Sequence, residues 1–175
     1  MSFYDGAAQL TELVAPYLAS AVKQDETVIV IATPEHRAAF ADALEEAGVN
    51  MHDALCDMRL RVFDAEEMLT RFMRNGTVNR AAFVSSVGQC VAEAVAEGRP
   101  VRAYGEMVAL LWADGNHNAA VELERAWNLL GDQMPFSLLC CYPKAIQAEV
   151  EASEDLDEVC HLHSHVVPIE GAAAF

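Results

Sequence analysis

Glu106 stands directly after Tyr104 and Gly105 and directly before the apolar run Met107–Trp112. A carboxylate at that junction is not needed to cap a helix, and beside an aromatic ring it carries a desolvation cost that a specific use would justify. Other apolar runs end in comparable residues: Tyr4 and Asp5, then Thr33, Glu35 and His36, then Asp64, and finally Tyr142. Aromatic rings with one acid and one histidine suit a small, partly apolar organic ligand held by few polar contacts. Helix capping also explains Thr33 and Glu35. Trp112, with Trp127, Phe136 and Tyr142, could line such a pocket, although their spacing is also that of core residues.

A second chemical cluster is Cys160-His161-Leu162-His163-Ser164-His165. On a strand, His161, His163 and His165 would share a face; on a helix, His161 and His165 would. Either arrangement could supply two or three metal ligands. No H-E-x-x-H accompanies them and no fourth ligand is near, so surface histidines are the preferred reading. The phosphate-binding motifs are absent, both G-x-G-x-x-G and G-x-x-x-x-G-K-[ST]. The lysines are Lys23 and Lys144, and neither follows a glycine. After the first possible strand comes Asp5-Gly6-Ala7, whose acid would repel a polyphosphate. Nucleotide hydrolysis therefore lacks both its cradle and its cation. No G-x-S-x-G nucleophile turn occurs.

Eleven basic against 27 acidic residues give a net charge of −16. Such a surface repels phosphate backbones and argues against direct nucleic-acid binding. The apolar runs Thr27–Thr33 and Phe136–Tyr142 are far shorter than a membrane span, and Met1-Ser2-Phe3-Tyr4-Asp5 has no signal-peptide character. Five cysteines form no C-x-x-C, and Cys140 and Cys141 read as small buried hydrophobes. A reducing, cytoplasmic setting is expected, with no membrane contact.

Positioning the strand-end residues requires elements that alternate. Gly6–Lys23 reads as an amphipathic helix with Asp5 as N-cap and Pro16 as an interior kink, or as a helix that starts later. Thr27–Ala32 reads as a strand buried on both faces. Thr33-Pro34-Glu35 opens the next helix, and Gly48 ends it. Arg59–Phe63 reads as a strand. A helix over 65–73 follows, then a turn at Asn75-Gly76, then a helix capped by Asn79 and running through Val95. Val101–Tyr104 is a strand, and Gly105 turns the chain into Met107–Trp112. A helix carrying Val121, Glu124, Trp127 and Leu130 runs to Gly131, and Phe136–Tyr142 is a strand. Ser153 caps a last helix, and Val166-Val167-Pro168 reads as an edge strand. The pattern predicts a three-layer α/β fold: a mostly parallel sheet with helices on both faces. Residues 1–170 are read as one domain and 171–175 as a frayed tail. In such sheets ligands bind beyond the carboxyl ends of the strands, which is where the first set of residues falls.

Taken in order, Phe3-Tyr4-Asp5, Ile31-Ala32-Thr33-Pro34-Glu35-His36-Arg37, Asp64-Ala65-Glu66-Glu67 with Arg71-Phe72-Met73, Arg102-Ala103-Tyr104-Gly105-Glu106-Met107-Val108 and Phe136–Pro143 resemble the MEDS family. That is the sensory domain of methanogens, methylotrophs and the dichloromethane-responsive repressor DcmR. The resemblance runs from about Phe3 to Pro168. It implies a degenerate RecA/KaiC-like fold without the phosphate loop, with Asp5-Gly6-Ala7 at the loop's place and Arg102–Glu106 at the strand of the Walker B acid. It also implies sensing of small organic molecules. Relatives fused to histidine kinases, DNA-binding or anti-sigma-type modules make a histidine kinase or an anti-sigma-type regulator the expected kind of partner.

The sequence therefore predicts a non-catalytic sensory or regulatory domain, without a cofactor, that binds a small organic ligand or a signalling protein. The expected ligand-binding residues are Tyr4, Asp5, Thr33, His36, Tyr104, Glu106, Trp112 and Tyr142. The alternative is an enzyme, either a cryptic nucleotide hydrolase or a metal-dependent hydrolase built on His161–His165.

Overall fold

A computed structural model describes residues 2–145. In chain order the elements are β1 (Ser2–Tyr4), α1 (Gly6–Lys23), β2 (Thr27–Ala32), α2 (Pro34–Glu46), α3 (Met51–Cys56), β3 (Leu60–Asp64) and α4 (Ala65–Phe72). A small hairpin of β4 (Met73–Arg74) and β5 (Thr77–Val78) follows, then α5 (Arg80–Phe83), a π-helical turn (Val84–Gly88) and α6 (Gln89–Ala96). The described chain closes with β6 (Val101–Gly105), α7 (Met107–Ala113), α8 (His117–Gly131) and β7 (Ser137–Pro143). The predicted three-layer α/β architecture is the one observed, and the main sheet is wholly parallel in the order β1-β7-β6-β2-β3.

The apolar pattern dictates this layering. All six residues of β2 are buried, as a strand covered by helices on both faces requires. Alternate residues feed two cores. Val28 and Val30 join Leu10, Val14 and Leu18 of α1 and Phe40 and Leu44 of α2. Ile29 and Ile31 join Met68, Phe72, Phe83, Val87 and the apolar faces of α7 and α8. Each such aliphatic side chain contributes about 1.5–3 kcal/mol by leaving water. Cys140 and Cys141 follow the same alternation, one in each core, and burial raises both thiols, Cys141 to about 12.

Strand order explains where a site can form. The chain leaves β2 through α2 and α3 toward the β3 edge on one face; it leaves β6 through α7 and α8 toward β7 on the other face. The connections diverge at the carboxyl ends of the neighbours β2 and β6, the crevice that open α/β sheets use for ligands. Their register sets Ile31 against Gly105, so Ala32 and Glu106 are the first residues past the pairing.

Several local expectations need correction. Pro16 lies inside α1, but the helix runs without interruption from Gly6 to Lys23. Asp5 occupies the N-cap without a side-chain cap hydrogen bond; its amide N–H instead donates to Gln9 Oε1 at 2.5 Å. The helix expected over 65–73 stops at Phe72, because Asn75 and Gly76 both take positive φ (52° and 79°) and close a tight hairpin. Asn79 does cap a helix, accepting from Ala82 N at 3.0 Å, but a π turn interrupts that helix before Val95. The helix α3 is only six residues long, too short to show a helical period in the sequence, and Asn50 caps it by accepting from Asp53 N. Gly105 does not turn the chain: it is the last residue of β6, with no positive φ, and the turn falls at Glu106. The predicted helix after Ser153, the edge strand Val166–Pro168 and the tail lie outside the described residues.

A Cβ at Gly105 would meet Trp127 at 3.7 Å, an ordinary contact, whereas Gly98 sits at φ +80°. Gly105→Ala is expected to change stability by under ~1 kcal/mol, and Gly98→Ala to cost about 1–2 kcal/mol for its left-handed backbone. Urea unfolding of both variants measures the difference.

Candidate functional site

Glu106 is buried at 3 % exposure, on the α2 side of the sheet. Its backbone N–H donates to Ile31 O at 3.1 Å, which extends the β2–β6 pairing by one step. It is the N-cap residue of α7, yet its side chain makes no cap hydrogen bond to that helix. The carboxylate reaches across to β2 and α2 instead. Oε1 accepts from the Thr33 amide N–H. Oε2 accepts from His36 Nδ1 at 2.6 Å and, more weakly, from the Tyr104 hydroxyl at 3.5 Å. Burial of an acid is tolerable when its oxygens are occupied by donors, as these are.

The sequence places each donor for its own reason. Thr33 is the N-cap of α2, and its hydroxyl accepts from His36 N at 3.4 Å. Pro34 starts the helix with no N–H to satisfy, which sets His36 one turn in and facing Glu106. The His36 ring stacks on Phe40, with ring centres 6.1 Å apart, and Phe40 meets Tyr104 edge-on at 5.3 Å. A continuous contact therefore runs from the acid through the imidazole and Phe40 back to the sheet.

The hydrogen bond to Glu106 holds the His36 pKa above the ordinary imidazole value, outweighing burial, which lowers it; the charges of Glu106 and Glu35 add to the rise. Tyr104 is pushed upward by burial first and Glu106 second. Tyr4 rises to about 12 by burial and then by the charges of Glu106 and Cys141, which puts its phenol within electrostatic reach of the same carboxylate. Both phenols stay protonated and can donate.

Five of the eight expected ligand-binding residues thus share one neighbourhood: Tyr4, Thr33, His36, Tyr104 and Glu106. Asp5 lies beside them at the exposed start of α1. Tyr142 and Trp112 belong to the opposite core. Tyr142 donates its hydroxyl to the buried Glu124, and Trp112 lies 4.2 Å from the His117 ring. Asp64 caps α4 by accepting from Glu67 N and also pairs with Arg37 at 2.8 Å. The Glu124–Tyr142 pair is legible in the sequence only as an acid inside an apolar helix face. Arg37 lies outside the expected set; its signal in the sequence is its place next to His36, with α2 reaching β6 through one residue and β3 through the next.

Among the described residues no group of three or more His, Cys, Asp or Glu side chains could hold a metal ion. Cys160, His161, His163 and His165 lie outside the described residues. No helix among the described residues is long and apolar enough to cross a membrane.

With this geometry in place, the comparison with known families is decisive for one point. The profile of the MEDS family, the methanogen/methylotroph and DcmR sensory domain, matches residues 1–164. The chain belongs to the MEDS family. No curated protein and no solved structure matches it. MEDS domains are sensory domains.

Two outcomes follow from the Glu106 geometry. Glu106→Ala leaves the Thr33 N–H and His36 without an acceptor and is expected to cost about 2–4 kcal/mol. Glu106→Gln is expected to cost far less, because its carbonyl keeps the Thr33 N–H and its amide can donate to a neutral His36 Nδ1. Urea denaturation at neutral pH separates the two. The raised His36 pKa also sets a pH dependence. Its stabilisation is complete below the unfolded imidazole pKa of about 6.5 and is lost as pH rises through the higher folded value. Wild type should therefore lose its stability margin over His36→Gln as pH rises from that point. A margin that grows with pH would contradict the protonated His36–Glu106 pair.

Proposed function

We propose that this chain is a sensory and regulatory module whose working site is the strand-end cluster of Tyr4, Thr33, His36, Tyr104 and Glu106. The observation that carries the reading is the Glu106 carboxylate, buried at the switch point and bonded to the first turn of α2 rather than to its own helix. A ligand polar group that competes for Glu106 or for His36 loosens α2 from β6. The first turn of α2 is then the element that changes, and its partly exposed residues Glu35 and Arg37 offer that change to a partner protein. A histidine kinase or an anti-sigma-type regulator is the kind of partner that such a module serves. Asp5, at the edge of the cluster, faces solvent and can meet the ligand or the partner. Trp112 and Tyr142 act from the opposite face as support for β6 and β7.

The β1–α1 junction supports a non-catalytic reading over nucleotide hydrolysis. A single residue, Asp5, separates the strand from the helix, so there is no loop of successive N–H groups to cradle phosphates. The nearest lysine in sequence, Lys23, is exposed at the far end of α1.

Native mass spectrometry of protein purified without denaturation tests the reading. Wild type is expected to retain a small organic molecule that folded Glu106→Gln does not. Equal retention by both would move the site elsewhere. Calorimetry with magnesium-ATP is expected to show no binding tighter than about 100 μM, near −5.5 kcal/mol. Micromolar binding with turnover would overturn the regulatory reading.

A further inference from the structure

The short helix α3 carries two metal-ligating side chains that the Glu106 cluster does not use. His52 and Cys56 stand four residues apart, about one helical turn, and both are exposed. His52 Nε2 lies 3.7 Å from Cys56 Sγ, and neither side chain has another hydrogen-bond partner among the described residues. A tetrahedral zinc site, with Zn–N near 2.0 Å and Zn–S near 2.3 Å, separates a nitrogen from a sulfur ligand by about 3.5 Å. The pair is therefore set at chelating distance before any metal arrives. The remaining thiols of the described chain are withdrawn: Cys140 and Cys141 are buried in the two cores, and Cys90 packs half-buried against one of them. One chain offers only these two ligands, since no third His, Cys, Asp or Glu among the described residues is placed to join them. A structural zinc ion takes four. A two-fold axis through the ion would supply the other two, because an isologous contact brings the same residues from each copy.

We propose that His52 and Cys56 form half of a zinc site, completed by the same two residues of a second copy of this chain. Thiolate and imidazole select zinc over magnesium and calcium, which take oxygen ligands. Each Cys56 thiol gives its proton to solvent as its Zn–S bond forms, and nothing is oxidised. Exposed apolar side chains argue for a second copy rather than water in the other two positions. Leu55, three residues after His52 and next to Cys56, is 44 % exposed, and Met58, two residues further on, is 49 % exposed. A second α3 meeting this one covers them, whereas water ligands leave them bare. Charge explains why the ion is needed. Each chain carries −16, and Asp53 lies exposed beside His52. Two such surfaces repel until a dication lies between them, and the same negative field draws the dication in. Association is therefore metal-dependent. It also reaches α2: Met51 and Leu55 of α3 face Phe40, Ala41 and Leu44 of α2 and Val62 of β3 across an apolar groove of about 220 Å³. Fixing α3 in a dimer thus restrains one wall of that groove, while the site itself does not rest on the role given to Glu106.

The test is sedimentation of the full chain, purified without an affinity tag and kept reduced with a phosphine, first stripped of metal and then titrated with zinc. The stripped protein is expected to be a monomer, and zinc is expected to convert it to a dimer holding one ion per two chains. Cobalt in place of zinc is expected to give the visible bands of a tetrahedral ion together with a thiolate charge-transfer band. Cys56→Ser and His52→Ala are each expected to abolish the dimer and the cobalt bands while keeping the wild-type melting temperature of the stripped protein, because both side chains are exposed. A variant combining Cys160→Ser, His161→Ala, His163→Ala and His165→Ala is expected to keep both signals, which separates α3 from the histidine cluster. Glu106→Gln is expected to keep them as well, so that failure of the strand-end site leaves this test intact. A chain that stays monomeric at saturating zinc would overturn the proposal, as would a dimer already present without metal. So would a zinc dimer that survives Cys56→Ser, or one lost only in the variant of the histidine cluster, either of which marks binding elsewhere or an adventitious ion only.

Discussion

Everything near the candidate site depends on the cost of burying one carboxylate. Glu106 is 3 % exposed, and an acid in that position is tolerable only if its oxygens are held by donors. Those donors come from three places: the N-cap residue of α2, the first turn of the same helix, and β6 two residues earlier. Satisfying Glu106 therefore fixes the start of α2 against the end of β6. The sheet supplies the framework for this, because Ile31 and Gly105 are register partners and bring the two strand ends side by side.

The same constraint spreads along α2. His36 is turned inward by Glu106, which leaves Arg37 to turn toward β3 and pair with Asp64. One turn further on, Phe40 fills the space between the imidazole and Tyr104, and its far side walls the apolar groove. Consecutive residues at the start of one helix thus join it to two strands that are not neighbours in sequence. The helix is held by a few specific bonds rather than by a broad apolar face: only Phe40 and Leu44 of α2 are buried. Such an element belongs to the low-stability end of a fold, as the proposed switching role requires.

Membership of a sensory-domain family agrees with a fold that puts aromatic rings, one acid and one histidine at the switch point and no phosphate-binding loop at the first strand. The polar pair on the opposite face, Tyr142 with Glu124, satisfies a second buried acid by the same rule but from the last strand and α8. Acids at 3 % and 1 % exposure, one on each side of the sheet, are each met by a tyrosine from a β-strand.

By itself the sequence determined the layers. Continuous β-branched runs such as Thr27–Ala32 need cover on both faces, and strands alternating with amphipathic helices leave few other architectures. It determined the helix starts where capping chemistry is local, as at Thr33-Pro34 and Asn79, and it marked Tyr4, Thr33, His36, Tyr104 and Glu106 because each lies at the end of an apolar run or within four residues after it. Strand order lay beyond it. Whether β6 sits beside β2 or β1 depends on pairings between residues some 75 to 140 positions apart, such as Ile31 with Gly105 and Ser2 with Cys141, and periodicity carries no information at that range. For the same reason the partition of the aromatic residues between the faces was decided only by the tertiary structure: Tyr142 and Trp112 follow the pleat and the packing of α7 away from Glu106. The groove on α2 likewise needs α3 and β3 brought together. Its apolar residues look like ordinary core in the sequence, and only their incomplete cover in the fold sets them apart.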